Sequence, residues 1–156
     1  MKLLETLKAE GRIEEARQHG LLQLIEHPQH AELHYEVASL HDMQGREAQA
    51  IPLYQKAITL GLSEALLRGA WLGLGSSFRS TGQYAEALAA FDQGLARFPD
   101  ATEFRVFRAM TCYNLGHHKE GMERLLAVLA ETTTDLALVP YRRAMALYAE
   151  DLDRRW

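Results

Sequence analysis

Seven histidines and one cysteine are the side chains in this sequence best suited to chemistry. His27, His30 and His34 are spaced three and four apart, the spacing that brings imidazoles together for zinc at the start of a helix. Pro28 breaks the chain between the first two, and His34 and His41 fall on positions that pack between helices. His117 and His118 are adjacent, so on a helix their side chains diverge by ~100° and do not chelate as a pair. Gly73-Leu74-Gly75-Ser76-Ser77 is a fragment of a phosphate-cradling pattern, but that pattern needs a preceding strand, and these glycines lie in a helical run. No serine sits in a strand-turn-helix elbow. The carboxylates Glu14 and Glu15, and Asp151 and Asp153, read as solvated charge, and Cys112 as a small buried hydrophobe. These residues point to no catalytic group, no metal site and no cofactor. A histidine-cluster metal protein or enzyme is the remote alternative.

The elements around these residues carry more information than the residues themselves. The chain has 156 residues, 47% apolar and 24% charged, with a net charge of −4. A globular chain of this length buries about 68–70% of its unfolded surface. Lys and Arg are scattered, with no basic stripe to displace counterions from phosphates, so nucleic acid is not an expected partner. Glu5, Lys8 and Glu10 interrupt the apolar N-terminus before a secretion signal could form, and no apolar run is long enough for a membrane span. One cysteine allows no internal disulfide and fits a reducing compartment. The expected location is the cytoplasm.

Internal repetition decides the fold class. Four segments are alike: Gly11-Arg12-Ile13-Glu14-Glu15-Ala16, Gly45-Arg46-Glu47-Ala48-Gln49-Ala50, Gly82-Gln83-Tyr84-Ala85-Glu86-Ala87 and Gly116-His117-His118-Lys119-Glu120-Gly121. Their glycines are 34, 37 and 34 residues apart. Each follows a helix-period apolar pattern, such as Leu33, Val37, Ala38, Leu40 and His41. Each precedes another, such as Ala87, Leu88, Phe91 and Leu95. A glycine there accepts the left-handed conformation that ends a helix, and the small residue five positions on admits close packing of the next helix. Pro28 and Pro99 stop the second helix of their units. Asp100 with Glu103 reads as a capping box, and Ser63 as an N-cap ahead of a helix lengthened by Ala65-Leu66-Leu67. Pro52, in the second turn of its helix, should bend it.

The stretch 31–62 resembles a tetratricopeptide repeat, and 68–101 resembles one more closely. Trp71, Leu74, Gly75, Phe78, Gly82, Tyr84, Ala87, Phe91, Gly94 and Pro99 stand where the family pattern places them. Residues 102–134 diverge, with Gly121 and Val128 where alanines are usual, and residues 1–28 look shortened at the N-terminal side. Leu53–Leu62 running into Trp71–Arg79 is similar to a bacterial subfamily of these repeats. The resemblance implies a single all-α domain over 1–156, a right-handed superhelical array of antiparallel helix pairs. Its units are a truncated repeat at 1–28, repeats at about 31–64, 68–101 and 102–134, and a capping helix at about 138–153, whose start Pro140 blurs.

The resemblance also implies a function: a protein-interaction adaptor holding a peptide or partner protein on the concave face. The matching positions are Tyr35, Ser39, Asp42 and Met43, then Leu72, Ser76 and Arg79, then Val106, Met110, Tyr113 and Asn114. Some members grip a peptide carboxylate with a Lys/Asn/Arg clamp. The positions here carry Tyr35, Ser39, Gly73, Glu103 and Phe107, so that clamp is absent. The alternative is a self-associating scaffold, a homodimer formed through the N-terminal unit or the terminal helix.

Overall fold

The chain, described over residues 1–156 by a computed structural model, is all-helical. Its helices are α1 (Lys2–Ala9), α2 (Ile13–Glu26), α3 (Ala31–Asp42), α4 (Glu47–Leu60), α5 (Glu64–Ser80), α6 (Tyr84–Arg97), α7 (Thr102–Asn114), α8 (His118–Thr132) and α9 (Arg142–Glu150). A 3-10 turn, Val139–Tyr141, precedes the last. Two compact units divide within α6: unit 1 is Met1–Ala90 and unit 2 is Phe91–Trp156. Successive helices pack pairwise in each, as the tetratricopeptide resemblance implied.

The four repeat glycines do what their spacing implied. Gly11, Gly45, Gly82 and Gly116 have φ of 73°, 66°, 79° and 82°. In each turn the residue after glycine donates its N–H to the carbonyl five residues back: Arg12 to Leu7, Arg46 to His41, Gln83 to Phe78 and His117 to Cys112, at 2.8–2.9 Å. This is the Schellman closure, which satisfies carbonyls the ended helix leaves orphaned. One local geometry is thus used four times, each time turning the chain into the next helix.

Small residues then let the helices approach. In unit 1, Leu4, Leu7, Ala16, Leu33, Val37 and Leu40 form one buried cluster across α1, α2 and α3. A Cβ on Gly20 would stand 2.5 Å from Val37 Cγ2. In unit 2, Phe91 of α6 meets Phe104 and Phe107 of α7 at ring-centroid distances of 6.5 and 6.1 Å. The departure at Gly121 has a physical reason: a Cβ there would lie 2.9 Å from the Ala109 carbonyl oxygen of α7. Gly121→Ala should therefore destabilise by ~1 kcal/mol net, overpacking costing ~1–3 kcal/mol against a helix-propensity gain of ~1. A raised urea midpoint for this variant would show that α8 shifts freely, contrary to that packing.

Two local expectations are corrected, and a third holds in position only. α7 begins at Thr102 with Ala101 as N-cap and no side-chain cap bond, so Asp100 lies one residue too early for a capping box. Ser63 does occupy the N-cap of α5, but its side chain makes no cap bond. The C-terminal helix starts at Arg142 rather than near Leu138. Pro140 has no N–H to donate and restricts the residue before it, and a 3-10 turn takes the place of a first helical turn. α5 is long, 17 residues against 12 for α3, as the three extra residues implied.

The C-terminal segment is fastened by polar contacts as well as by packing. α9 packs on α8 without fully burying any residue. Lys119 Nζ lies 2.7 Å from Asp151 and 2.8 Å from Asp153, and Leu152 N donates to Glu123 Oε1 at 3.1 Å. Trp156 Nε1 donates to the Tyr148 hydroxyl at 3.0 Å.

Candidate functional site

In unit 1 the first helices of the two central repeats, α3 and α5, lie directly against one another. Tyr35, Ser39, Asp42 and Met43 recur at four, three and one residue, which places them on one side of α3, and Leu72, Ser76 and Arg79 share one side of α5. Their environments differ. Met43 is 60% exposed, whereas Ser39, Leu72, Ser76 and Arg79 are half-buried.

Tyr35 and Asp42 are engaged within the unit. The Tyr35 ring stands edge-on to Tyr54 at 6.0 Å, and its hydroxyl occupies the space a Cβ on Gly69 would need. The Tyr54 ring fills the equivalent notch at Gly73, where a Cβ would come within 2.4 Å of it. Two glycines of α5 thus receive two tyrosines, and one of them, Gly73, opens the run that resembles a phosphate-cradling pattern. Asp42 accepts hydrogen bonds from Tyr54 Oη at 2.9 Å and Ser77 Oγ at 3.0 Å, tying α3 to α4 and α5. Tyr54 and Ser77 were not among the candidates. An adjacent serine pair and a lone tyrosine on a packing face give no hint in sequence that one carboxylate will gather them.

Burial raises the Asp42 carboxyl above its usual 3.8, the two hydrogen bonds opposing the shift. The same desolvation, with Asp42 beside it, raises the Tyr54 phenol strongly. Glu14 behaves oppositely. It accepts from Arg17, Gln18 and Gln44, linking α2 to the α3–α4 turn, and the Arg17 bond first among these lowers its carboxyl to about 2. Glu14 is therefore a cross-helix acceptor as well as a solvent-exposed charge.

The two carboxylates should give opposite pH slopes. Asp42, raised on folding, contributes stability that is complete below 3.8 and lost as pH rises through its folded value. Glu14, depressed on folding, contributes stability present above 4.5 and lost as pH falls towards about 2. Urea midpoints between pH 2 and 7 should show the acid-side loss flattened in Glu14→Gln and the opposite slope removed in Asp42→Asn. Identical profiles for wild type and Glu14→Gln would contradict this assignment.

In unit 2 the corresponding helix is α7. Met110 and Asn114 are half-buried, and Tyr113 is 62% exposed with His118 edge-on at 4.9 Å. Val106 lies half-buried one turn before Met110. Three of the other histidines have structural employment. His30 is the N-cap of α3, its Nδ1 accepting from Leu33 N at 3.2 Å. His34 Nε2 donates to the Pro28 carbonyl at 2.9 Å. His41 is buried at the end of α3. Cys112 is buried beneath Arg108, and burial raises its thiol, which disfavours the nucleophilic thiolate. No helix is long and apolar enough to cross a membrane.

Comparison with known proteins agrees with this geometry. Superkiller protein 3 of Saccharomyces cerevisiae (strain ATCC 204508 / S288c) is 23% identical over 120 residues, which is 73% of this chain and 8% of that protein. The chain thus spans less than a tenth of that relative's length. A family model described as Tetratrico peptide repeat matches residues 31–152, from the first turn of α3 past the end of α9. Repeats of this family generally mediate protein–protein interaction and are typically scaffolds rather than enzymes. The glycine-closed helix pairs and that match together establish that the chain belongs to the tetratricopeptide repeat family.

Proposed function

We propose that this protein is a non-catalytic adaptor that holds a peptide or partner protein on the first helices of its repeats. The binding residues are Tyr35, Ser39, Asp42 and Met43 on α3 and Leu72, Ser76 and Arg79 on α5, with Met110, Tyr113 and Asn114 of α7 serving unit 2. The observation that carries this reading is the direct packing of α3 on α5, with Tyr35 and Asp42 fixed from within by Tyr54, Gly69 and Ser77. Rigid anchors lose little side-chain entropy on binding, and exposed Met43 and Tyr113 offer adaptable apolar contact. Family repeat positions 1–28, 31–64, 68–101 and 102–134 are the units we assign to this array.

Capture from native lysate tests the reading. A Met43→Glu, Tyr113→Ala variant should keep its helical signal and lose a protein that wild type retains. Equal retention by both would remove these faces from the binding site. Tyr35→Ala is unsuitable as the sole probe, because its ring also packs α3 on α5.

Self-association is the second reading, favoured by Leu22 and Ile25 exposed on α2 and by Met122, Leu125 and Leu129 exposed along α8. Sedimentation equilibrium separates the two: a mass that grows with concentration supports the scaffold, and a constant monomer mass supports the adaptor.

A further inference from the structure

Unit 2 contains a cleft of about 320 Å³ between α6, α7 and α8, lined by Asp92, Leu95, Arg105, Arg108, Arg124 and Ala127. Three guanidiniums from two helices converge on it. Around α7, Arg108 lies roughly 140–160° and Arg105 roughly 80–140° from Val106, Met110 and Tyr113, so the cleft opens beside the proposed partner face rather than on it.

Each arginine meets a carboxylate. Arg108 Nε lies 2.7 Å from Asp92 Oδ1 and its Nη1 lies 3.5 Å from Glu120. Arg105 engages both oxygens of Glu131 at 2.5 and 3.0 Å, and Arg124 Nε lies 2.9 Å from Glu120. For two of the three the cation is the more sheltered member. The Arg108 side chain is 17% exposed against 52% for Asp92 and 40% for Glu120, and Arg105 is 32% against 57% for Glu131. The Arg105 and Arg108 guanidiniums therefore form the wall and their carboxylates the wetter rim, while Arg124, 54% exposed against 40% for Glu120, stands at the mouth. Rim ion pairs are weak and exchange readily with solvent or with another anion. A guanidinium has five donors in a planar fork that matches oxyanions, and of Arg108's only the Nε bond is short. Its Nη1 contacts, to Glu120 and to Cys112 Sγ at 3.7 Å, are long. Leu95 and Ala127 supply apolar wall beside this charge, and the volume falls at the lower end of small-molecule pockets.

We propose that this cleft binds a small oxyanionic ligand, a carboxylate- or phosphate-bearing molecule. Its charged group displaces the rim carboxylates to bridge Arg105, Arg108 and Arg124, while its carbon portion rests on Leu95 and Ala127. The site is independent of the adaptor surface, and neither stands on the other.

Isothermal titration of the full chain tests the proposal, with inorganic pyrophosphate in one arm and citrate in the other, ionic strength held constant with sodium chloride. The expected result is 1:1 saturation by at least one of the two, the pyrophosphate arm marking a phosphate-bearing ligand and the citrate arm a carboxylate. Affinity should fall about tenfold or more in Arg124→Gln and in Arg108→Lys, which keeps the charge but loses the fork. Arg124 is 54% exposed, so its substitution tests the site even if Arg108→Lys impairs folding. No saturation by either titrant up to about 10 mM, or binding unchanged in a folded Arg124→Gln variant, overturns the proposal.

Discussion

Phe104→Ala should lower the unfolding free energy by about 3–5 kcal/mol, read from urea denaturation followed by circular dichroism. Phe104 is fully buried, meets Phe91 across the α6–α7 contact, and fills a notch in α6 at Gly94, where a Cβ would lie 2.3 Å from its ring. Removing the ring loses its transfer free energy and leaves a cavity that two helices cannot easily close. The same geometry makes Gly94→Ala cost ~1–3 kcal/mol in overpacking, which alanine's helix-propensity gain of ~1 kcal/mol only partly offsets. Because the two sites share one volume, their effects should not add. In a Phe104→Leu background the Gly94→Ala penalty should shrink by at least about 0.5 kcal/mol. Strict additivity in that double-mutant cycle would mean the ring does not occupy the notch.

Tyr54→Ala is expected to cost about 3–5 kcal/mol, whereas Tyr54→Phe should cost ~1. The ring is buried, packs edge-on against Tyr35 and fills the notch at Gly73, which accounts for most of the loss on truncation. The hydroxyl contributes separately by donating to Asp42, a half-buried carboxylate that would otherwise keep only the Ser77 bond. Tyr54→Phe should therefore also raise the Asp42 carboxyl further and steepen the loss of stability as pH rises from about 4. Equal costs for Phe and Ala would place the stabilisation in the hydroxyl alone, and a costless Phe would make the Asp42 bond energetically silent.

The turns of this protein were legible in sequence because each depends on a single residue. A left-handed φ is a local demand that glycine alone meets without strain, so Gly11, Gly45, Gly82 and Gly116 announce four helix ends without any knowledge of their neighbours. The extra turn of α5 was visible for a similar reason, as three added residues in one spacing. Polar partnerships were not legible. Asp42 reads as a groove residue on α3, and nothing near it in sequence tells that Tyr54 and Ser77 from other helices donate to it. Glu14 reads as solvated until Gln44, thirty residues on, reaches it. Likewise Arg105, Arg108 and Arg124 look scattered along the chain, although the interval of three between the first two marks one side of α7. The capping box failed on a one-residue displacement, since capping geometry is sharper than any boundary read from periodicity.

The adaptor reading meets its most direct test in site-specific photo-crosslinking from exposed positions, in native lysate and at low protein concentration. A photoreactive residue at Met43 of α3 or Tyr113 of α7 should crosslink a protein other than this chain, and one at Gln55 or Lys56, exposed on the second helix α4, should not. Crosslinks from α4 but not from Met43 or Tyr113, or crosslinks only to a second copy of the chain, would contradict it.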